Sequence, residues 1–117
     1  MSDATLRELQ AMVVKFRDER DWQQFHNFKD LAIKLCLEAA EVLEFTEWKT
    51  TADLDEQLNE RREAIGDELA DVLQLVLLLA ENTQIDLVDA YKRKLTKNEV
   101  KYPVDKSRGS AKKYTEL

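Results

Sequence analysis

The longest helical pattern of the chain is ERREAIGDELADVLQLVLLLAEN, residues 60–82. Its apolar side chains recur at the spacing that places them on one face of a helix. The most apolar part, 69–80, contains Asp71 and Gln74 and is shorter than the roughly 20 residues that a membrane-spanning helix needs. This stretch therefore predicts a long, partly buried helix in a soluble protein.

Helical periodicity also covers most of the remaining sequence. We expect further helices at about 5–20, 27–48 and 86–102. A segment that begins at Leu54, with Asp53 as its cap, is either a short separate helix or the beginning of the long one. The connections between these segments are short.

Residues that form turns are scarce, since the 117 residues include only 2 Gly and 1 Pro. A sandwich of many strands needs more of them, so the composition predicts an all-α fold. We expect an antiparallel helical bundle of about four to five helices. Residues 1–103 form the predicted helical domain, and 104–117 form a basic C-terminal tail, for which composition alone favours disorder.

Charge and cysteine content exclude several classes of function. The chain carries 24 acidic and 18 basic side chains, a formal net charge of −6, which argues against binding a nucleic acid polymer. A small phosphorylated ligand remains open, because a local cluster of cations or a bridging metal suffices for it. Cys36 is the only cysteine, and the opening MSDATLRELQ contains no apolar signal segment. We therefore expect a cytoplasmic protein that does not bind membranes.

Four acidic residues fall on helix faces that the apolar pattern marks for burial. Glu38 and Glu41 lie about 60° apart on one predicted helix, and Glu68 and Asp71 have the same spacing on the long one. Buried carboxylates that lie together repel one another and retain protons near neutral pH unless a cation compensates their charge. Carboxylate oxygens suit Mg²⁺ or Mn²⁺. Structural zinc does not fit, because the chain has 1 His and 1 Cys.

Geometry alone leaves two interpretations of these acidic pairs open. In a chain with 24 acids, a pair at this spacing is commonly part of a solvated helix face or of interhelical ion pairs. Two pairs on successive long helices, both within apolar stripes, make a divalent-metal site an equally good interpretation.

A series of short motifs runs through nearly the whole chain. They are FRDERDWQQFH (16–26), EAAE (38–41), EWK (47–49), DELADVL (67–73), Asn98, KYP (101–103), SRGSA (107–111) and KYT (113–115). Together they resemble the MazG-like superfamily of all-α nucleoside triphosphate pyrophosphohydrolases, and within it most closely the dCTP pyrophosphatases. The first acidic pair alone would be a weak signal, but its combination with the second pair and the C-terminal motifs is specific.

The resemblance implies a MazG-like enzyme that forms a homodimer or homotetramer. It implies Mg²⁺, with Mn²⁺ as a substitute, held by Glu38, Glu41, Glu68 and Asp71. The implied reaction is hydrolysis between the α- and β-phosphates of dCTP or a modified dCTP, which yields a nucleoside monophosphate and pyrophosphate. Metal-activated water is a common nucleophile in such reactions. Glu41 is the carboxylate that we expect to orient or deprotonate this water.

Substrate contacts are expected from residues along the whole chain. The predicted substrate-binding residues are Trp22, His26, Trp48, Lys94, Asn98, Tyr102 and Arg108. The two tryptophans suit stacking on a pyrimidine ring, and the arginine lies in the tail that we expect to close over the triphosphate. For each residue taken alone, ordinary packing or a solvated helix face is an alternative interpretation.

Two positions depart from the dCTP pyrophosphatases that the chain resembles. Leu75 stands where those enzymes carry a tyrosine, and Val13 where they carry a histidine. Both changes remove a polar group from the expected pocket and leave the base preference open. Two alternatives to the enzyme also remain: a non-catalytic helical interaction protein, and a nucleotide sensor that binds the triphosphate without hydrolysing it.

Overall fold

The structure, a computed structural model, describes residues 3–117, so the first two residues of the predicted domain lie outside it. Helix α1 spans Leu6–Glu19, α2 Phe28–Glu44, α3 Thr51–Glu60, α4 Arg62–Thr83, α5 Leu87–Lys101 and α6 Val104–Ser107. Two 3₁₀ turns cover Gln23–Phe25 and Tyr114–Glu116. No strand occurs in the described part of the chain, which confirms the all-α prediction.

The helices begin where short polar side chains accept hydrogen bonds from the first backbone N–H groups. The hydroxyl of Thr5 accepts from the Glu8 N–H at 3.1 Å. The carboxylate of Asp86 accepts from the Asp89 N–H at 3.1 Å. These bonds satisfy donors that have no partner within the helix. The predicted beginnings of α1 and α5 are therefore confirmed.

Helix α3 begins earlier than we expected from the sequence. Thr50, not Asp53, is the cap, and the two residues form a reciprocal capping box. The Thr50 hydroxyl accepts from the Asp53 N–H, and the Asp53 carboxylate accepts from the Thr50 N–H, both at 3.3 Å. A break at Arg61 then separates α3 from α4, so the segment is a separate helix.

Helix α2 ends at Glu44, four residues before its expected end at Trp48. The backbone N–H groups of Thr46 and Glu47 bond to carbonyls three residues back, and the Thr46 hydroxyl donates to the Leu43 carbonyl at 2.7 Å. These bonds tighten the chain into turns and satisfy the last carbonyls of the helix. Trp48 then adopts a left-handed backbone conformation, with φ of 61°.

The chain divides into two units, one ending at Gln84 and the other spanning Ile85–Leu117. In the first unit α4 packs against α1, α2 and α3. Among residues 3–117, the buried apolar residues all belong to this unit: Val13, Leu31, Leu75, Leu77, Leu78 and Ala80. Helix α4 supplies most of them, in agreement with the long, partly buried helix that the sequence predicts.

The second unit contains α5, α6 and an ordered C-terminal segment, although composition favoured disorder for the tail. Tyr114 packs edge-on against Tyr102, with ring centroids 5.9 Å apart. The Lys101 ammonium lies 4.9 Å from the centre of the Tyr114 ring, a cation–π contact. These contacts hold the tail against the end of α5. Composition alone could not predict them, because they depend on which side chains meet in the folded chain.

Candidate metal centre and adjoining cavity

Two helices bring the four predicted carboxylates together. Glu38 and Glu41 lie on α2, Glu68 and Asp71 lie on α4, and these helices pack against each other. Each residue offers one carboxylate oxygen, and the four oxygens lie within 4.8 Å of one another. The spacing of each acidic pair thus places both members on the face that meets the partner helix. We call this group the acidic cluster.

The carboxylates of the acidic cluster strongly perturb one another. The neighbouring carboxylates of Glu68 and then Glu38 favour the protonated form of Glu41 and raise its pKa to about 7. Burial, followed by the negative charges of Glu38 and Glu68, raises the pKa of Asp71. Such shifts are expected where like charges share a small volume. In the absence of a metal, the cluster therefore holds a proton near neutral pH.

One ion pair partly compensates this negative charge. The Lys34 ammonium lies 2.8 Å from Oε1 of Glu38, one helical turn further along α2. This bond lowers the pKa of Glu38, against the opposing effect of burial, and raises the pKa of Lys34. Of the two cluster acids on α2, Glu38 therefore ionises more readily than Glu41.

The donor set of the acidic cluster fits a divalent cation. Oε2 of Glu38 and Oε2 of Glu68 are buried without a hydrogen-bond partner. A buried carboxylate oxygen without a partner is costly, and a metal ion relieves that cost. Four carboxylates and no nitrogen or sulfur ligand make the site suitable for a hard cation that prefers oxygen.

A cavity of about 200 Å³ lies between α1, α2 and α4. Its apolar wall includes Trp22 and Phe25, and Lys34 is among its polar lining residues. Because the Lys34 ammonium also contacts Glu38, the cavity adjoins the acidic cluster. Val13 and Leu75, the two positions that depart from the dCTP pyrophosphatases, line this same cavity.

His26 lies in the wall of the cavity with an unpaired polar atom. Its Nδ1 is buried and has no hydrogen-bond partner. Burial, and then the positive charge of Arg17, lower the pKa of His26, so the ring is neutral at pH 7. A neutral imidazole with a free ring nitrogen can donate to or accept from a polar ligand.

The structure brings some of the predicted substrate-binding residues together and leaves others apart. Trp22 and His26 line the cavity, whereas Trp48 does not and is 93% exposed. The remaining four, Lys94, Asn98, Tyr102 and Arg108, belong to the unit that spans Ile85–Leu117. The roles of all seven in substrate binding stay predictions.

Two charged residues at this site were missed by the sequence analysis. Lys34 precedes Glu38 by four positions, and this spacing on a helix could have predicted the ion pair. Arg17 follows Val13 by four positions and is only 7% exposed, so it shares the buried face of α1. Its Nε donates to the Asp18 carboxylate at 2.9 Å.

Comparison with known proteins identifies the family to which the chain is similar. Residues 33–117, which include the whole acidic cluster, match the MazG-like family. The chain is 38% identical to dCTP pyrophosphatase 1 of Rattus norvegicus and 37% identical to that of Homo sapiens; each match covers 98% of this chain and 69% of the relative. The crystal structure of a pyrophosphatase from Archaeoglobus fulgidus superposes with a TM-score of 0.80 at 36% identity, covering 88% of this chain and 96% of that one.

The chain therefore belongs to the MazG-like family. The family and these relatives confirm the prediction of an enzyme, of the nucleoside triphosphate pyrophosphohydrolase class. They also confirm the resemblance to MazG-like dCTP pyrophosphatases that the sequence motifs indicate. No helix within residues 3–117 is long and apolar enough to cross a membrane.

Proposed function

We propose that this enzyme hydrolyses dCTP, or a modified dCTP, to a nucleoside monophosphate and pyrophosphate with Mg²⁺ held by Glu38, Glu41, Glu68 and Asp71. The observation that carries the proposal is the acidic cluster itself, with four carboxylate oxygens within 4.8 Å of one another beside a cavity with an aromatic wall. Mn²⁺ has the same preference for oxygen ligands and is the expected substitute.

Bound Mg²⁺ would neutralise charge on the phosphates and lower the pKa of a water molecule that attacks phosphorus. The protein's own task is mainly positioning, since phosphoryl transfer needs little covalent help from side chains. We assign to Glu41 the orientation of the attacking water and the acceptance of its proton. A carboxylate oxygen of Glu41 lies within 4.8 Å of those of the other three acids, and this position beside the proposed metal supports the role.

The cavity is the proposed site of the base. Trp22 is 44% exposed at the cavity wall, so one face of its indole can stack on a pyrimidine. The free Nδ1 of His26 supplies a hydrogen bond to the base or to a phosphate. Trp48, Lys94, Asn98, Tyr102 and Arg108 complete the proposed binding residues. The tail, 104–117, closes over the triphosphate in this proposal.

The named relatives support dCTP as the substrate to test first, because two of them are dCTP pyrophosphatases from mammals. Val13 and Leu75 make the cavity wall more apolar than in the enzymes that the chain resembles, which bears on the base preference. We further propose that the enzyme works in the cytoplasm as a homodimer or homotetramer, with neither a nucleic acid polymer nor a membrane as partner.

Product analysis tests the reaction directly. The full chain is incubated with each canonical nucleoside triphosphate and with 5-methyl-dCTP, in Mg²⁺ and in chelator, and the products are identified by ³¹P NMR. We expect pyrophosphate and monophosphate from dCTP or its modified form, only with Mg²⁺. Release from all nucleotides would retain the chemistry and remove the cytosine preference. No release from any would leave the sensor or the interaction protein.

A further inference from the structure

Lys34 lies where the cavity meets the acidic cluster. Its side chain lines the cavity together with Trp22 and His26, and its Nζ lies 2.8 Å from Oε1 of Glu38. Among residues 3–117, no other cavity-lining side chain forms an ion pair with a carboxylate of the cluster. Lys34 therefore connects the proposed base site with the proposed metal site.

The two partners of this ion pair differ in burial. The Glu38 side chain is 9% exposed, whereas the Lys34 side chain is 56% exposed. Because the ammonium is half exposed, water can replace Glu38 as its partner at little cost. The four-carbon stem of lysine is flexible, which allows the ammonium to leave Glu38 without displacing the helix.

Metal binding changes the electrostatic surroundings of Lys34. With a divalent cation in the cluster, Glu38 would serve as a ligand, and the ammonium would meet a second positive charge nearby. The net attraction of the ammonium to the cluster would then weaken or become a repulsion. The ammonium has three hydrogen-bond donors and no acceptor, and phosphate oxygens are the groups that such a compact charge binds well.

We infer that Lys34 is a substrate-binding residue with two successive partners. It neutralises Glu38 while the cluster is free of metal, and it binds a phosphate oxygen of the nucleotide once the metal is bound. The inference rests on the proposed function. It adds one substrate-binding residue to the site, on the evidence of its contact with Glu38 and its place in the cavity lining. It gives Lys34 opposite effects on two ligands: it opposes binding of the metal alone and promotes binding of the nucleotide with metal.

Isothermal titration of the full chain separates these two effects without relying on turnover. Wild type, Lys34→Met and Lys34→Arg are titrated with MgCl₂ alone, and then with the non-hydrolysable α,β-imido analogue of dCTP in saturating Mg²⁺. Lys29→Met is the matched control, because Lys29 is exposed on the same helix and lines neither the cavity nor the cluster. Circular dichroism verifies that each variant is folded.

For Lys34→Met we expect Mg²⁺ alone to bind about tenfold more tightly, because a nearby like charge is removed. The analogue should bind about tenfold more weakly, the scale of one lost charge-assisted hydrogen bond. Lys34→Arg should retain most of the affinity for the analogue, and Lys29→Met should match wild type in both titrations.

Equal binding of the analogue by wild type and Lys34→Met would overturn the inference and reduce Lys34 to a structural ion pair. Unchanged Mg²⁺ binding in Lys34→Met would overturn its role as the counter-ion of the cluster. If wild type binds Mg²⁺ but not the analogue, the proposed function fails together with this inference. The three results are distinguishable within one set of titrations.

Discussion

Glu41 makes the stability of the metal-free protein depend on pH. Its pKa is raised from the ordinary 4.5 to about 7 by Glu68 and Glu38. Between these two pH values the folded state therefore binds more protons than the unfolded state, and stability falls as the pH rises. The lowered pKa of Glu38 acts in the opposite sense, but only at more acidic pH, as its folded pKa lies below the ordinary value.

Thermal melts in chelator test this expectation. Glu41→Gln removes the titrating group, so its Tm should fall less than that of wild type between about pH 5 and about pH 8. Glu63→Gln, an exposed acid on α4, should retain the wild-type profile. Identical profiles for wild type and Glu41→Gln would show that Glu41 does not hold a proton in the cluster.

Trp22 is the residue at which stacking on the base can be tested. Its ring lies edge-on to Phe16, with centroids 5.9 Å apart, and is only partly covered. Trp22→Ala should raise KM for the nucleotide about tenfold or more and change kcat little, because stacking contributes about 1–3 kcal/mol per base. Trp22→Phe should recover part of the loss.

Steady-state kinetics supplies the measurement, and Phe28→Ala is the control because Phe28 is an exposed aromatic residue on α2 outside the cavity lining. A fall in kcat with unchanged KM in Trp22→Ala would show that the tryptophan affects the chemical step and not the binding of the base. An unchanged ratio of kcat to KM in Trp22→Ala would show that Trp22 does not contact the nucleotide.

At the scale of elements, Gly66 in α4 is a place where the helix can be strengthened. A Cβ added at Gly66 meets no atom within 4 Å, and the residue has helical backbone geometry. Gly66→Ala should therefore raise the free energy of unfolding by about 0.5–1 kcal/mol, the helix preference of alanine over glycine.

Gly109 provides the opposite case. Its φ of +72° lies in the left-handed region, so Gly109→Ala should lower the free energy of unfolding by about 1 kcal/mol even though the added Cβ has space. Urea denaturation of both variants measures the difference. If Gly66→Ala proved destabilising, α4 would not be regular at this position.

The helices of the chain and most of their ends were predictable from periodicity and capping residues, but the end of α2 and the beginning of α3 were not. The N-caps of α1 and α5, Thr5 and Asp86, follow from a short polar residue before an apolar stripe. The end of α2 at Glu44 depends on three-residue turns, which no pattern of apolar residues encodes. Helix α6 has only 4 residues, too few to show a period.

The placement of each acidic pair on a buried helix face was predictable from its three-residue spacing, whereas the grouping of the two pairs into one cluster was implied by the family resemblance. Whether Lys34 contacts the cluster depends on its rotamer, and the burial of Arg17 depends on how α1 packs on α4. Tertiary packing decides the burial of Arg17, so the sequence pattern left it out, whereas the four-residue spacing of Lys34 and Glu38 made their ion pair predictable.

At the scale of the whole molecule, many large apolar side chains remain exposed in the single chain. A groove between α1 and α4 is lined by Met12, 64% exposed, and Leu73, 38% exposed. Apolar surface of this kind favours burial against another protein surface. We expect a homodimer or homotetramer, with a mass at least twice the 13.7 kDa of the chain.

Light scattering coupled to size-exclusion chromatography measures that mass. Met12→Lys places a charge in the groove and should shift the population toward the monomer, whereas Lys29→Met, outside the groove, should not. A wild-type protein that elutes as a 13.7 kDa monomer at all concentrations would contradict the predicted assembly.

The most direct test of the account is the rate of Mg²⁺-dependent pyrophosphate release by wild type, Glu38→Gln, Asp71→Asn and the control Glu63→Gln. We predict that each change within the cluster lowers turnover by at least about a hundredfold, the scale of losing a metal ligand, while helicity is retained and the control matches wild type. In chelator, Asp71→Asn should raise the Tm, because it removes a buried negative charge that Glu38 and Glu68 also repel. Wild-type turnover in Glu38→Gln and Asp71→Asn would contradict the central claim and move the site away from the four carboxylates.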